Sequence, residues 1–308
     1  MELCVFTEPQ QGASYQQQLT MAQTAERCGF TAFFRSDHYP RMGNGSGMPG
    51  PTDAWVTLGA IARETTTIRL GTLVSAATFR LPGPLAIAVA QVDEMSGGRV
   101  EFGLGTGWYE AEHTAYGIPF PALKERFEIL EEQLAVITGL WATPEGNTFS
   151  FTGTHYQLAD SPALPKPVQR PMPVVIGGGG KRKTARVVAR YGSEFNLAFR
   201  SLSTFQAASE NIDRACEAID RDPASLRRSA ALVVCCGRDP AELSRRAARI
   251  GRDLDDLRTN GAAGTPAEVA ARVAEFRDAG ADRMYLQVLD LDDLDQVELI
   301  AAEVQAVL

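Results

Sequence analysis

The residues best equipped for chemistry fall in three short stretches. In the first, an apolar run, PMPVVI, enters four consecutive glycines, Gly177 to Gly180, and then a basic segment, KRKTARVVAR. Glycine lets the backbone approach an anion because no Cβ stands in the way. A helix starting just beyond it offers unpaired N–H groups and the positive end of its dipole. No acidic residue lies between Asp160 and Glu194, whereas Lys166, Arg170, Lys181, Arg182, Lys183, Arg186 and Arg190 do. In a chain of formal net charge −8 this local reversal predicts a bound phosphate or polyanion. The second stretch, Ser36-Asp37-His38-Tyr39, directly follows the apolar run TAFFR. A carboxylate beside one of the chain's 3 histidines can fix the imidazole tautomer, which is the equipment of a general acid or base. The third stretch runs from Gly103 through Gly105, Thr106 and Gly107 to Trp108, Tyr109 and Glu110. Its spacing is G-x-G-x-G, not the dinucleotide G-x-G-x-x-G. Small residues followed by an indole suit a flat ring lying on backbone with an aromatic wall beside it.

The elements that would position these stretches alternate between strand and helix. Strand runs are read at 3–7, 31–35, 68–74, 100–104, 174–176, 195–198, 231–235 and 283–288. Helical stretches between them open on Ser14, Asp53 and the Thr265-Pro266 pair, residues suited to the first turn. The run from Leu123 to Leu140 is the longest amphipathic candidate, and two more helices are read over 241–254 and 294–307. The rhythm breaks at about 144–172, where a hairpin around Gly153 and a proline-rich run form an insertion after the fourth helix. Recurring strand–helix units of this number predict one domain over 1–308, a closed (β/α)8 barrel of the α/β class. Chemistry in such a barrel sits at the carboxyl ends of the strands, where all three stretches fall.

Composition narrows the function classes. A hydrophobic share of 44% and a charged share of 22% are globular values. The acidic total speaks against nucleic acid as a partner. No basic leader and no membrane-length apolar run are read, so a cytoplasmic protein without a membrane partner is expected. The 5 cysteines lack C-x-x-C spacing. His113 has Glu110 and Glu112 nearby but no second histidine at helical spacing, so no metal is expected. No serine stands in a nucleophile-elbow setting, which disfavours hydrolysis.

Several motifs in order carry a resemblance: Phe34-Arg35-Ser36-Asp37-His38, the run from Leu70 to Ser75, the run from Asp93 to Val100, Gly103 to Glu112, Tyr116 to Phe120, and Val175 to Gly180. Together they resemble the bacterial luciferase-like superfamily of flavin and deazaflavin enzymes. The opening from Phe6 to Gln10 and the run from Ser161 to Gln169 are similar to its F420-dependent oxidoreductase branch. The resemblance implies a TIM barrel holding an isoalloxazine-like ring near the strand ends. It places Asp37 and His38 against the deazaflavin, with His38 as the catalytic acid/base. It makes Leu73–Val74 a non-proline cis peptide in a bulge behind the ring, and gives Thr106 and Gly107 backbone contacts to it. Gly177, Gly178 and Gly179 become the phosphate loop, with Lys181 beside it and Asn196 at the next strand end. Where sugar-phosphate-oxidising members carry a glutamate proton donor this chain has Trp108, so that substrate is disfavoured and the second acid/base is unassigned. The basic cluster exceeds what the single phosphate of FMN needs, which favours coenzyme F420. The expectation is hydride transfer to or from a small organic substrate. The alternatives are an FMN-dependent monooxygenase served by a separate reductase, or a non-catalytic barrel that binds a phosphate ligand. The loop from Tyr39 to Pro51 and the insertion are expected to frame the substrate pocket. A homodimer is expected by analogy, through the Leu123–Leu140 helix.

Overall fold

Eight parallel strands close on themselves in chain order in a computed structural model that describes residues 1–43 and 45–308. They are β1 (Glu2–Thr7), β2 (Ala32–Arg35), β3 (Arg69–Thr72), β4 (Val100–Gly105), β5 (Val174–Gly177), β6 (Glu194–Ala198), β7 (Arg227–Cys236) and β8 (Arg283–Val288). Each pairs with the next, and β8 returns to β1 in a register running from Glu2 opposite Arg283 to Thr7 opposite Val288. Strands covered on both faces read as continuous apolar runs, which is why the rhythm is visible in the sequence. The helices start where their caps predict. Ser14 with Gln17, and Thr265 with Glu268, form reciprocal capping boxes, and Asp53 accepts from the N–H groups of Trp55 and Val56.

One reading is corrected in detail. The helix read over 241–254 is two, Pro240–Arg249 and Leu254–Asn260, interrupted where Gly251 takes φ +64°. The segment Ala262–Gly264 is a short strand extending the sheet from the end of β7. The helix Leu123–Ala142 buries Leu130, Leu134, Ile137 and Leu140 against the barrel. The insertion forms an antiparallel hairpin, Phe149–Thr152 with Gln157–Ser161. Glu132 tacks its turn to the long helix by accepting from the N–H groups of Thr154, His155 and Tyr156 at 2.7, 2.9 and 3.0 Å.

Inside the barrel the amino end is ionic and the level above it apolar. Arg283, with no exposure, donates to Glu101 at 2.5 Å, Glu194 at 3.0 Å and Glu2 at 2.7 Å, and Arg69 also pairs with Glu101. Above them pack Cys4, Phe6, Ala32, Phe34, Val175, Ala231 and Tyr285. Among the described residues no helix is long and apolar enough to cross a membrane.

Candidate active site at the carboxyl ends of the strands

His38 stands just beyond β2 and is held from below by a residue distant in sequence. Both carboxylate oxygens of Glu112 lie 3.0 Å from His38 Nδ1. A carboxylate can only accept, so Nδ1 carries the hydrogen and Nε2 is left free. Glu112 also accepts from the Tyr39 N–H at 3.3 Å and is wholly buried, whereas the His38 side chain keeps 15% exposure. The short helix Glu110–Ala115 that carries Glu112 is anchored by His113. His113 Nδ1–H donates to the Tyr109 carbonyl at 2.8 Å, and Nε2 accepts from the Thr78 hydroxyl at 2.6 Å. Glu112 and His113 thus have separate duties. Among the described residues no three metal-ligating side chains converge.

Asp37 is brought to the same strand end but points into the protein. Its carboxylate is 1% exposed, accepts from the Ser75 hydroxyl at 2.7 Å and pairs with Arg80, which also reaches Asp53 at 2.6 Å. Burial opposes the Arg80 charge, but the two carboxylates outweigh it and hold the guanidinium above its ordinary range. Arg35, at the end of β2, is buried and donates to the carbonyls of Ser36 and Thr52 at 2.9 and 3.0 Å. These two arginines tie both ends of the 36–52 loop to the barrel and so fix where His38 sits. Position 44, within the loop Tyr39–Pro51 expected to frame the substrate pocket, lies outside the described residues. At the start of that loop Tyr39 stacks on Phe79, with ring centroids 5.0 Å apart.

The peptide between Leu73 and Val74 is cis. The Val74 side chain occupies the gap between the ends of β4 and β5: a Cβ on Gly177 would come within 2.8 Å of it, and one on Gly105 within 2.9 Å. A side chain at Gly177 would therefore collide with Val74. Gly107 takes φ +73°, and a Cβ there would meet the Thr78 hydroxyl at 3.1 Å, so the turn into Trp108 requires glycine.

The glycines expected to form the phosphate loop differ in what their backbone does. The Gly178 N–H donates to the Asn196 carbonyl at 3.3 Å and is spent. Gly179 faces open space. The helix Arg182–Tyr191 begins after Lys181 with no side-chain cap. A cavity of about 430 Å³ opens there, floored by Leu123, Phe127, Leu130 and Val187 and rimmed by Thr106, Gly177–Gly179, Lys181, Arg182 and Lys183. The rest of the basic cluster is employed elsewhere: Arg186 pairs with Glu131 at 2.5 Å, Arg170 with Glu145 at 2.8 Å, Lys166 donates to the Leu140 carbonyl at 2.6 Å, and Arg190 lies over the Tyr191 ring at 5.2 Å. Asn196, expected at a strand end, is 2% exposed within the barrel and donates to the Ser229 hydroxyl at 2.9 Å. It does not reach the mouth.

Glu112 is the functional candidate that sequence reasoning missed. A stretch reading Glu110-Ala111-Glu112-His113 poses a metal question locally, and only folding reveals that the second glutamate turns inward under His38.

A (β/α)8 barrel with a carboxylate-held imidazole and a basic cavity at the same end defines the class of protein. The family model of luciferase-like monooxygenases matches residues 1–258, and the chain belongs to that family. It is 37% identical over 162 residues to an F420-dependent glucose-6-phosphate dehydrogenase of Microbacterium testaceum, covering 52% of this chain and 46% of that protein. The chain thus spans about half the length of such curated relatives. Its fold matches an F420-dependent secondary alcohol dehydrogenase in complex with an F420-acetone adduct, with a TM-score of 0.84 at 19% identity over 100% of this chain and 99% of that one. It also matches a type II Baeyer–Villiger monooxygenase of Pseudomonas putida in complex with FMN, with a TM-score of 0.73 at 18% identity over 99% and 98% of the chains.

Proposed function

We propose that the protein is a coenzyme F420-dependent oxidoreductase that moves a hydride between the deazaflavin and a small organic substrate, with His38 as proton carrier. The observation that carries this reading is that a Glu112-held imidazole and an uncapped basic helix start beside a cavity both stand beyond the carboxyl ends of the barrel strands. The residues fit the coenzyme. The N–H groups from Gly179 into the first turn suit a phosphate, and Lys181, Arg182 and Lys183 exceed what one phosphate needs and suit further carboxylates. Val74, Thr106 and Gly107 would bound the ring. When bound, a deazaflavin supplies or accepts a hydride at carbon. The protein's part is to place and move the proton. With Nδ1–H fixed by Glu112, the free Nε2 accepts a proton from an alcohol as it is oxidised, or returns one to the oxygen of a carbonyl as it is reduced. The sequence of the F420-dependent relatives supports this choice over FMN.

The test is to titrate the protein with F420 and, separately, with FMN, following coenzyme absorbance. The expected result is saturable F420 binding that weakens with salt and in Lys181→Glu/Arg182→Glu. Tight FMN binding with F420 ignored would favour the monooxygenase, and retention of neither would remove both.

A further inference from the structure

Trp108 is 65% exposed, whereas Trp55 and Trp141 are 3% and 8% exposed. A large apolar ring left in solvent beside an acid/base group is a binding surface in search of a ligand. The Trp108 ring lies 5.7 Å from the His38 ring and 5.4 Å from that of Tyr109, and both aromatic rings stand at 79° to the imidazole. The indole and phenol, 30° apart, form a nearly continuous wall at right angles to the proton carrier. Tyr116, half exposed, extends the aromatic surface through Tyr39 at 5.1 Å.

The arginines around this wall already have partners. Arg80 serves Asp37 and Asp53. Arg35 is bonded to Ser36, Gln18 and Thr52, and Arg41 is turned back onto the Gly45 carbonyl. Arg126 lies over the Phe120 ring at 3.8 Å and donates to the Pro121 carbonyl at 2.7 Å. Arg200 stands beyond β6, four strands round the barrel from His38. Neither carboxylate of the centre is on offer to a cation, because Asp37 is neutralised by Arg80 and Glu112 is buried under His38.

We propose that the substrate is an uncharged, flat, largely apolar carbonyl compound or the corresponding alcohol, held against Trp108 with its oxygen at His38 Nε2. This rests on reading the mouth as a hydride-transfer site and adds which molecules enter it. An anionic sugar phosphate or carboxylate finds no arginine beside His38 that lacks another partner, and desolvating it there is unfavourable. Trp108 thereby decides specificity.

Three matched ketones test this: acetophenone, its anionic relative 4-acetylbenzoate, and its cationic relative 4-acetyl-N,N,N-trimethylanilinium. Each is titrated by calorimetry into the full chain with and without F420, for the native protein, Trp108→Ala and Trp108→Phe. The expectation is that acetophenone binds at least about tenfold tighter than either charged ketone. It should weaken about tenfold or more in Trp108→Ala, with most affinity kept in Trp108→Phe. Quenching of solvent-exposed tryptophan emission by acetophenone should vanish in both variants. Equal or tighter binding of a charged ketone, no binding of any of the three, or an unchanged acetophenone affinity in Trp108→Ala overturns the proposal. A parallel F420 titration reports separately on the coenzyme. Acetophenone bound at Trp108 in a protein that ignores F420 sinks the hydride-transfer reading and leaves the uncharged ligand standing.

Discussion

Replacing Arg283 by methionine removes the cation on which the amino end of the barrel depends. The guanidinium is fully buried and bonds Glu101, Glu194, Glu2 and the Tyr285 hydroxyl, the last at 3.0 Å. Removing one member of a buried ion pair costs about 3–5 kcal/mol, because the partner charge is left behind. Here three carboxylates lose their shared partner, but Arg69 still faces Glu101, and Arg227 still reaches Glu194 at 3.4 Å and Glu2 at 3.6 Å. The expected loss is therefore about 3 kcal/mol at neutral pH, the lower end of that range. The pH dependence is a second handle. Burial pushes the Glu101 carboxyl up, but Arg283 and Arg69 outweigh it and hold the group below its ordinary value. Its contribution is thus present above the unfolded pKa and is lost as pH falls through the folded one. For Glu194 burial wins over Arg283, and the carboxyl lies above its ordinary value, so its contribution is lost as pH rises through the folded pKa. Without Arg283 both carboxyls move up, and both then oppose folding as pH rises. Urea unfolding at pH 5 and pH 8, followed by circular dichroism, should show a wider gap between Arg283→Met and the native protein at pH 8. A loss below about 1 kcal/mol, or a gap that does not change with pH, would refute the reasoning.

Glu112→Gln keeps an acceptor for the imidazole but loses the charge that stabilises an imidazolium. A charge-assisted bond exceeds a neutral one by about 1–1.5 kcal/mol, so turnover should fall about tenfold with KM little changed. Nitrogen NMR of His38 should show mixed tautomers in Glu112→Leu, and a tautomer still fixed on Nδ1 would clear Glu112 of the role. Gly177→Ala places a methyl within 2.8 Å of Val74 and should cost about 1–3 kcal/mol. Combined with Val74→Ala the loss should be less than the sum of the two, and strict additivity in thermal melts would deny the contact. Raising salt should weaken F420 binding in the native protein more than in Lys181→Glu/Arg182→Glu, because the variant keeps only Lys183 of the three exposed cations at the cavity rim.

The barrel was legible because its strands are short apolar runs punctuated by capping residues, a pattern set by burial on both faces. The glycine run shows where such reading stops. Four identical residues in a row have four different reasons: Gly177 yields to Val74, Gly178 gives its N–H to Asn196, Gly179 faces the cavity, and Gly180 takes φ +64° against Ala208. A sequence shows the permission glycine gives and not which neighbour uses it. The same limit hid Glu112, which is 74 residues from His38 in sequence and meets it only because β2 and β4 lie two strands apart in the closed barrel. Asn196 shows the converse, since its place on β6 is legible but the membership of its side chain in the interior hydrogen-bonded set with Ser229 and Glu194 is not.

One signal was available and went unused. Glu101, Glu194 and Arg283 each stand in the first two residues of a mostly apolar strand, and two acids and a base at equivalent depth on an inward face predict one another. Their placement also bears on function. The ionic layer seals the amino end, and the apolar layer above it fills the interior, so the stability of the fold is lodged away from the mouth. Trp108 is on the far side of both layers and makes no hydrogen bond that the barrel needs. Its identity can therefore change with the substrate while β4 and the Gly107 turn beneath it stay as they are. A residue placed in this way is free to govern selectivity, which is why Trp108→Ala should alter which ketone binds and leave the urea midpoint nearly unmoved.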